Sequence, residues 1–178
     1  MFKKTFQAAL LVLAAVAIKA CATSGTSPQG QKTQLFEVHH DNGRTYVFDN
    51  FDLYMQAAQG GTPLYHRTRI GGGHEGQTLV FGLNSDQSKQ TGDIDFIQMY
   101  DGEIDIAGEF YGEMRRDGRI YVFDRLEDMH ANRSGNPLYF VNQIGAGPEG
   151  QTVYFVQNRD NSGQPADHLI EKFNQINN

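Results

Sequence analysis

With 178 residues, the chain has room for one ordinary domain or two small ones, and its 21 acidic against 15 basic residues give a net charge of −6. That balance disfavours a phosphate backbone as partner, so nucleic acid is excluded from the expected ligands. A single cysteine excludes an intramolecular disulfide, and 12 Phe and 8 Tyr without Trp must furnish most of the aromatic core.

From the N-terminus, Lys3 and Lys4 precede an apolar run from Ala8 to Ile18. Basic residues before a short apolar stretch are the pattern of a secretory signal, predicted over residues 1–20. The run, about 11 residues, is too short to cross a bilayer core of roughly 30 Å. Ile18-Lys19-Ala20-Cys21 then resembles the lipobox of bacterial lipoproteins, departing from it at Lys19, where a small uncharged residue is usual. The resemblance implies acylation of Cys21 (palmitate among the chains), with Cys21 as the new N-terminus. Ala22 in place of Asp implies the periplasmic face of the outer membrane. Several acyl chains on one residue hold firmly where a single chain holds reversibly. Residues 21–34, rich in Ser, Thr, Gly and Gln, read as a flexible tether. Losing Lys3, Lys4 and Lys19 with the signal leaves 12 basic against 21 acidic residues, a net −9.

Beyond the tether the chain repeats itself. Asp41–Asp49 (DNGRTYVFD) returns as Arg116–Asp124 (RDGRIYVFD), Thr62–Tyr65 (TPLY) as Asn136–Tyr139 (NPLY), and Ile70–Phe81 (IGGGHEGQTLVF) as Ile144–Phe155 (IGAGPEGQTVYF). Matches in the same order over about 40 residues point to a duplication, with unit 1 at 35–109 and unit 2 at 110–178. Each unit starts with two strands, Leu35–His40 and Tyr46–Phe48 in the first, Glu109–Arg115 and Tyr121–Phe123 in the second. Asn42-Gly43 and Asp117-Gly118 between them predict type I′ hairpins. A helix follows, capped by Asp49 or Asp124, with Phe51, Tyr54, Met55 and Ala58 on one face and Gly60 or Gly135 at its end. A second hairpin through Pro63–Ile70 and Thr78–Leu83, or Pro137–Ile144 and Thr152–Gln157, leads to a closing helix over Asp93–Tyr100 or Ala166–Ile176. The fold class expected is α+β: a tandem duplicated ββαββα unit, antiparallel sheets with helices packed on one face. Units of this size are too small to stand comfortably alone, so a shared interface is expected, about a pseudo-two-fold axis or through joined edge strands.

The chemistry-bearing motifs have structural explanations. Gly71–Gly76 and Gly145–Gly150 match G-x-G-x-x-G, but a strand follows each where a dinucleotide site needs a helix, so hairpin turns account for them. Neither a Gly-x-Ser-x-Gly elbow nor a kinase strand and catalytic loop is present. His39, His40, His66 and His74 have no histidine at the equivalent place in unit 2, and no metal or cofactor is expected. Arg44, Glu75 and Gln77 recur as Arg119, Glu149 and Gln151, either as a framework pinning hairpins together or as a ligand site used twice. Tyr46 and Tyr121 alternate with valines and, on a sheet open on one face, make an exposed stripe for a protein partner. The function expected is therefore a lipid-anchored binding or structural module of the envelope, non-catalytic, with an envelope protein as partner. The alternatives are an envelope hydrolase acting on glycan or peptide through paired carboxylates among Asp93, Asp95, Asp101, Glu103 and Asp105, and a small-ligand or metal sensor using the glycine turns.

Overall fold

A computed structural model describes residues 33–106 and 108–177; the signal segment, Cys21 and all but the last two residues of the tether lie outside them. In chain order the elements are β1 (Thr33–His40), β2 (Arg44–Phe48), α1 (Phe51–Ala58), β3 (Tyr65–Arg69), β4 (Thr78–Leu83) and a 3-10 turn at Gln87–Lys89. Then come α2 (Asp95–Asp101), β5 (Phe110–Arg116), β6 (Arg119–Phe123), α3 (Leu126–Ala131), β7 (Tyr139–Gln143), β8 (Thr152–Gln157) and α4 (Asp167–Asn177). This is a mixed α+β chain, and its eight strands form one sheet in the order β3-β4-β2-β1-β5-β6-β8-β7.

The sheet corrects two expectations. It is mixed rather than antiparallel, because β2 pairs with β4, β6 with β8 and β1 with β5 in parallel. Helices cover both faces rather than one. Tyr54 and Ala57 of α1 and Leu169 and Phe173 of α4 pack with Phe36, Phe48, Val122 and Phe155. On the opposite face α2 and α3 bring Phe96, Met99, Leu126 and Met129 against Leu35, Val47, Phe81 and Phe123. The cause is visible in the strands: Tyr46-Val47-Phe48 and Tyr121-Val122-Phe123 are unbroken apolar runs, and every residue in them is buried. Such runs belong to strands covered on both sides, whereas a half-exposed strand alternates.

Local signals are corrected in smaller ways. Asp117 (φ 53°) and Gly118 (φ 69°) are both left-handed, as a type I′ turn requires. In the first hairpin the pairing of His40 with Arg44 leaves a three-residue turn, Asp41-Asn42-Gly43, with only Gly43 at positive φ. The side chain that caps α1 belongs to Asn50 rather than Asp49, accepting from the Leu53 N–H at 3.0 Å. Arg125 precedes α3 with no side-chain cap, and α3 ends at Asn132, short of Gly135. Gly60 does follow the end of α1 in the left-handed region.

The two β-turns rich in glycine are alike in backbone. Gly71 and Gly76 have φ of 67° and 80°, Gly145 and Gly150 of 72° and 82°. In each turn the glycine at the third position donates its N–H to the backbone oxygen of the glutamine at its end, Gly73 to Gln77 and Gly147 to Gln151, both at 3.0 Å. Antiparallel strands flank both turns, so neither opens a helix.

Candidate functional site

The recurrent polar residues divide by role. Gln77 accepts from the Glu75 N–H at 2.9 Å and donates to the Glu75 carboxylate at 3.0 Å. Gln151 does the same for Glu149, at 2.9 and 2.7 Å. Each Glu–Gln pair therefore staples its own turn. Arg44 and Arg119 open β2 and β6 at exposed positions, and among the described residues no ion pair joins Arg44 to Glu75 or Arg119 to Glu149. The Tyr stripe is corrected outright: Tyr46 and Tyr121 are buried, one on each face of the sheet. The helices that cover both faces leave no open sheet surface for them.

At the centre lie two residues that sequence reasoning passed over. Glu37 on β1 stands opposite Val47, and Glu113 on β5 stands opposite Val122, so they hold corresponding places in the two hairpins. Both are fully buried. Arg133, just beyond α3, donates to Glu37 from Nε at 2.8 Å and to the Tyr100 backbone oxygen at 2.7 Å, while His39 Nε2 lies 3.1 Å from the other carboxylate oxygen. Burial pushes the Glu37 carboxyl up, but the charge of Arg133 and the bonds from His39 and Arg133 outweigh it and hold it below its ordinary range. Glu113 instead accepts from the Tyr54 hydroxyl at 2.8 Å, from Asn177 at 2.6 Å and from the Tyr111 hydroxyl. There burial wins over those bonds and over Arg115, and the carboxyl is raised. Arg115 donates from Nε to the Tyr54 oxygen at 2.9 Å, which closes the network. Every oxygen of both carboxylates is engaged: Arg133 ties Glu37 to the end of α3 and His39 bonds it within β1, while Tyr54 and Asn177 tie Glu113 to α1 and α4. Neither is presented to a cleft.

The clefts are small and open. One of about 220 Å3 lies at the turn end of β1 and β5, lined by His39, His40, Arg115, Arg116, Arg119, Glu149 and Gln151. It gathers three of the recurrent residues, Arg119, Glu149 and Gln151, and leaves Arg44, Glu75 and Gln77 elsewhere. Its charges are largely met: Arg115 Nη1 lies 3.7 Å from Glu149, and Arg116 donates to the backbone oxygens of Asn132, Arg133 and Gly135. A second cleft of about 310 Å3 holds Asp93, Asp101 and Glu103 with Arg67 and Arg69. Arg69 clasps Asp101 there with two bonds of 2.7 and 3.0 Å. Asp105 lines a third cleft, and Asp95 sits in the first turn of α2. Three of the five carboxylates named for a hydrolase thus share one cleft, where Asp101 is paired with Arg69, and the other two lie outside it.

What stands out on the surface is apolar. Leu64 and Ile70 flank β3 and are 82% and 88% exposed; Leu138 and Ile144 flank β7 and are 88% and 87% exposed. β3 and β7 are the two open edges of the sheet. Large apolar side chains this far out of the core bury little surface, yet they recur at the same places in both sequence blocks. The blocks TPLY…I and NPLY…I contained this signal. Reading Leu and Ile as strand interior concealed it.

Comparison with protein-family models, with curated proteins and with solved structures found no match. Among the described residues no cluster of His, Cys, Asp or Glu is placed to hold a metal ion, and no helix is long and apolar enough to cross a membrane.

Proposed function

We propose that this chain is a lipid-anchored protein of the bacterial envelope, held by Cys21 on the periplasmic face of the outer membrane, and that it is a non-catalytic binding or structural module. Its body is a tandem duplication of a ββαββα unit. The duplication is supported by the matched sequence blocks and by a sheet order that reads the same from either edge. Because β1 and β5 are parallel, exchanging the halves takes a half-turn about an axis lying in the sheet, along the strands. Such a rotation swaps the faces, in keeping with α1 and α3 lying on opposite sides. The anchor is supported by the lipobox resemblance and by the acidic body, which stands off from anionic lipid without help from an acyl group.

The observation that carries the binding role is the recurrence of exposed Leu64, Ile70, Leu138 and Ile144 at both open edges. Exposed apolar residues beside unpaired strand edges favour a protein that lays a strand or an apolar side chain against them. Crosslinking in living cells followed by affinity purification tests the role. An envelope protein recovered with the wild-type chain and lost with Leu64→Lys plus Ile70→Lys, both flanking β3, is the expected result. Recovery unchanged by those substitutions, or no protein at all, overturns the edge reading and favours a glycan or small ligand. The anchor is tested separately: Cys21→Ser moves the protein to the soluble periplasmic fraction, and retention in the outer membrane defeats the proposal.

A further inference from the structure

The two edges of the sheet are built alike but guarded differently. β3 reads Tyr-His-Arg-Thr-Arg and β7 reads Tyr-Phe-Val-Asn-Gln. Tyr65 pairs with Leu83 and Tyr139 with Gln157, so Arg67 and Val141 hold corresponding central places. Arg67 also donates to the backbone oxygens of Gly92 and Gln90, at 2.8 and 2.5 Å, tying a loop beside its edge. From Pro137 to Gly147 there is no charged residue at all. Exposed edge strands in stable monomers commonly carry charges that discourage pairing with another chain; β3 has them and β7 has none.

We propose that the β7 edge is the site at which two copies of this chain join, antiparallel about a two-fold axis at Val141, to make one sheet of sixteen strands. The register is self-complementary. Val141 faces its own counterpart, Phe140 faces Asn142 of the second copy, Tyr139 faces Gln143, and exposed Leu138 meets exposed Ile144 at both ends. Directly opposed apolar pairs are favourable units of sheet pairing, and like charges in the same places are unfavourable. The same operation on β3 sets Arg67 against Arg67. Pairing β7 with β3 of another copy places strands head to tail without closure, whereas the β7 pair closes on itself. For a body this acidic, an uncharged edge is also the approach with the least local repulsion. The dimer rests on the edge geometry alone and stands whether or not Cys21 is acylated. It leaves β3 for a different partner.

The test uses the full chain in detergent by sedimentation velocity, and a Cys21→Ser full chain carrying either Val141→Cys or Arg67→Cys treated with a short bismaleimide. The expected results are a protein mass twice that of one chain, a covalent dimer from Val141→Cys, and none from Arg67→Cys. Ile144→Lys, at a position too exposed to disturb the fold, returns the mass to that of one chain with an unchanged melting temperature. A single-chain mass for the wild type overturns the proposal. So does crosslinking through Arg67→Cys equal to that through Val141→Cys. Either failure leaves the envelope partner to be judged by its own crosslinks.

Discussion

Glu37 and Glu113 occupy corresponding places yet shift in opposite directions, because burial, which raises both, is outweighed at Glu37 by Arg133 and His39 but prevails at Glu113 over its hydrogen bonds and Arg115. Glu37 is held below its ordinary range by Arg133 and His39 against the pull of burial. Its contribution to stability is present above the unfolded carboxyl range, about pH 4.3, and is lost as pH falls through the lowered folded value. Glu113 is raised by burial, so its contribution is present below the unfolded range and is lost as pH rises through the raised value. Glu37→Gln leaves Arg133 without its counter-charge and costs about 3 kcal/mol at neutral pH, a gap to wild type that narrows on acidification. Glu113→Gln costs less at neutral pH, and its gap widens on acidification. Urea unfolding of both variants between neutral and acid pH checks this; gaps moving in the same direction refute the assignment. Both glutamates sit alone in apolar runs, Leu-Phe-Glu-Val and Tyr-Gly-Glu-Met. A sheet imagined with one wet face sends such a glutamate to water. Once both faces are covered, the same residue must find a partner inside.

At the scale of elements, strands and hairpins were legible from aromatic and β-branched runs and from Asn-Gly, Asp-Gly and glycine-rich turns. The caps were less so: Asp49-Asn50 offers two adjacent acceptors, and in the structure Asn50 caps α1 while Asp49 accepts from Gln87 instead. The recurrent Glu–Gln pairs were ambiguous between framework and ligand site; in the structure each glutamine hydrogen-bonds the glutamate of its own turn. Gln77→Ala removes two bonds from its turn and lowers stability by about 1 kcal/mol. Gln151→Ala does likewise, and because the turns lie toward opposite edges the two losses add. Thermal unfolding of the single and double variants measures this. A loss of partner binding with no loss of stability would instead make these glutamines contact residues. Gly73 and Gly147 belong to the same arrangement, since a Cβ at either place runs into the glutamine side chain that staples the turn.

At the scale of the whole molecule, the element order was readable and the joining of the halves was not. No local pattern announces that β1 and β5 pair in parallel at the centre, because both are simply apolar strands with a hairpin partner already assigned. That pairing decides everything larger. It turns two four-stranded pieces into one sheet, and each face then has a core drawing on both halves: Phe36 and Tyr54 with Val122 and Phe155 on one side, Leu35 and Phe81 with Met114 and Phe123 on the other. The polar ties cross the same line, Glu37 to Arg133 and Tyr54 to Glu113. Cutting the chain between α2 and β5 therefore exposes β1 as a raw edge, opens both cores and strands Glu37 without its arginine. A piece of about 70 residues has little burial to set against such losses. Residues 35–109 produced alone are expected to lack a cooperative thermal transition by circular dichroism, while the full chain shows one. A transition in the fragment matching that of the full chain in temperature and steepness would mean that the halves are independent and that the central pairing contributes nothing to stability.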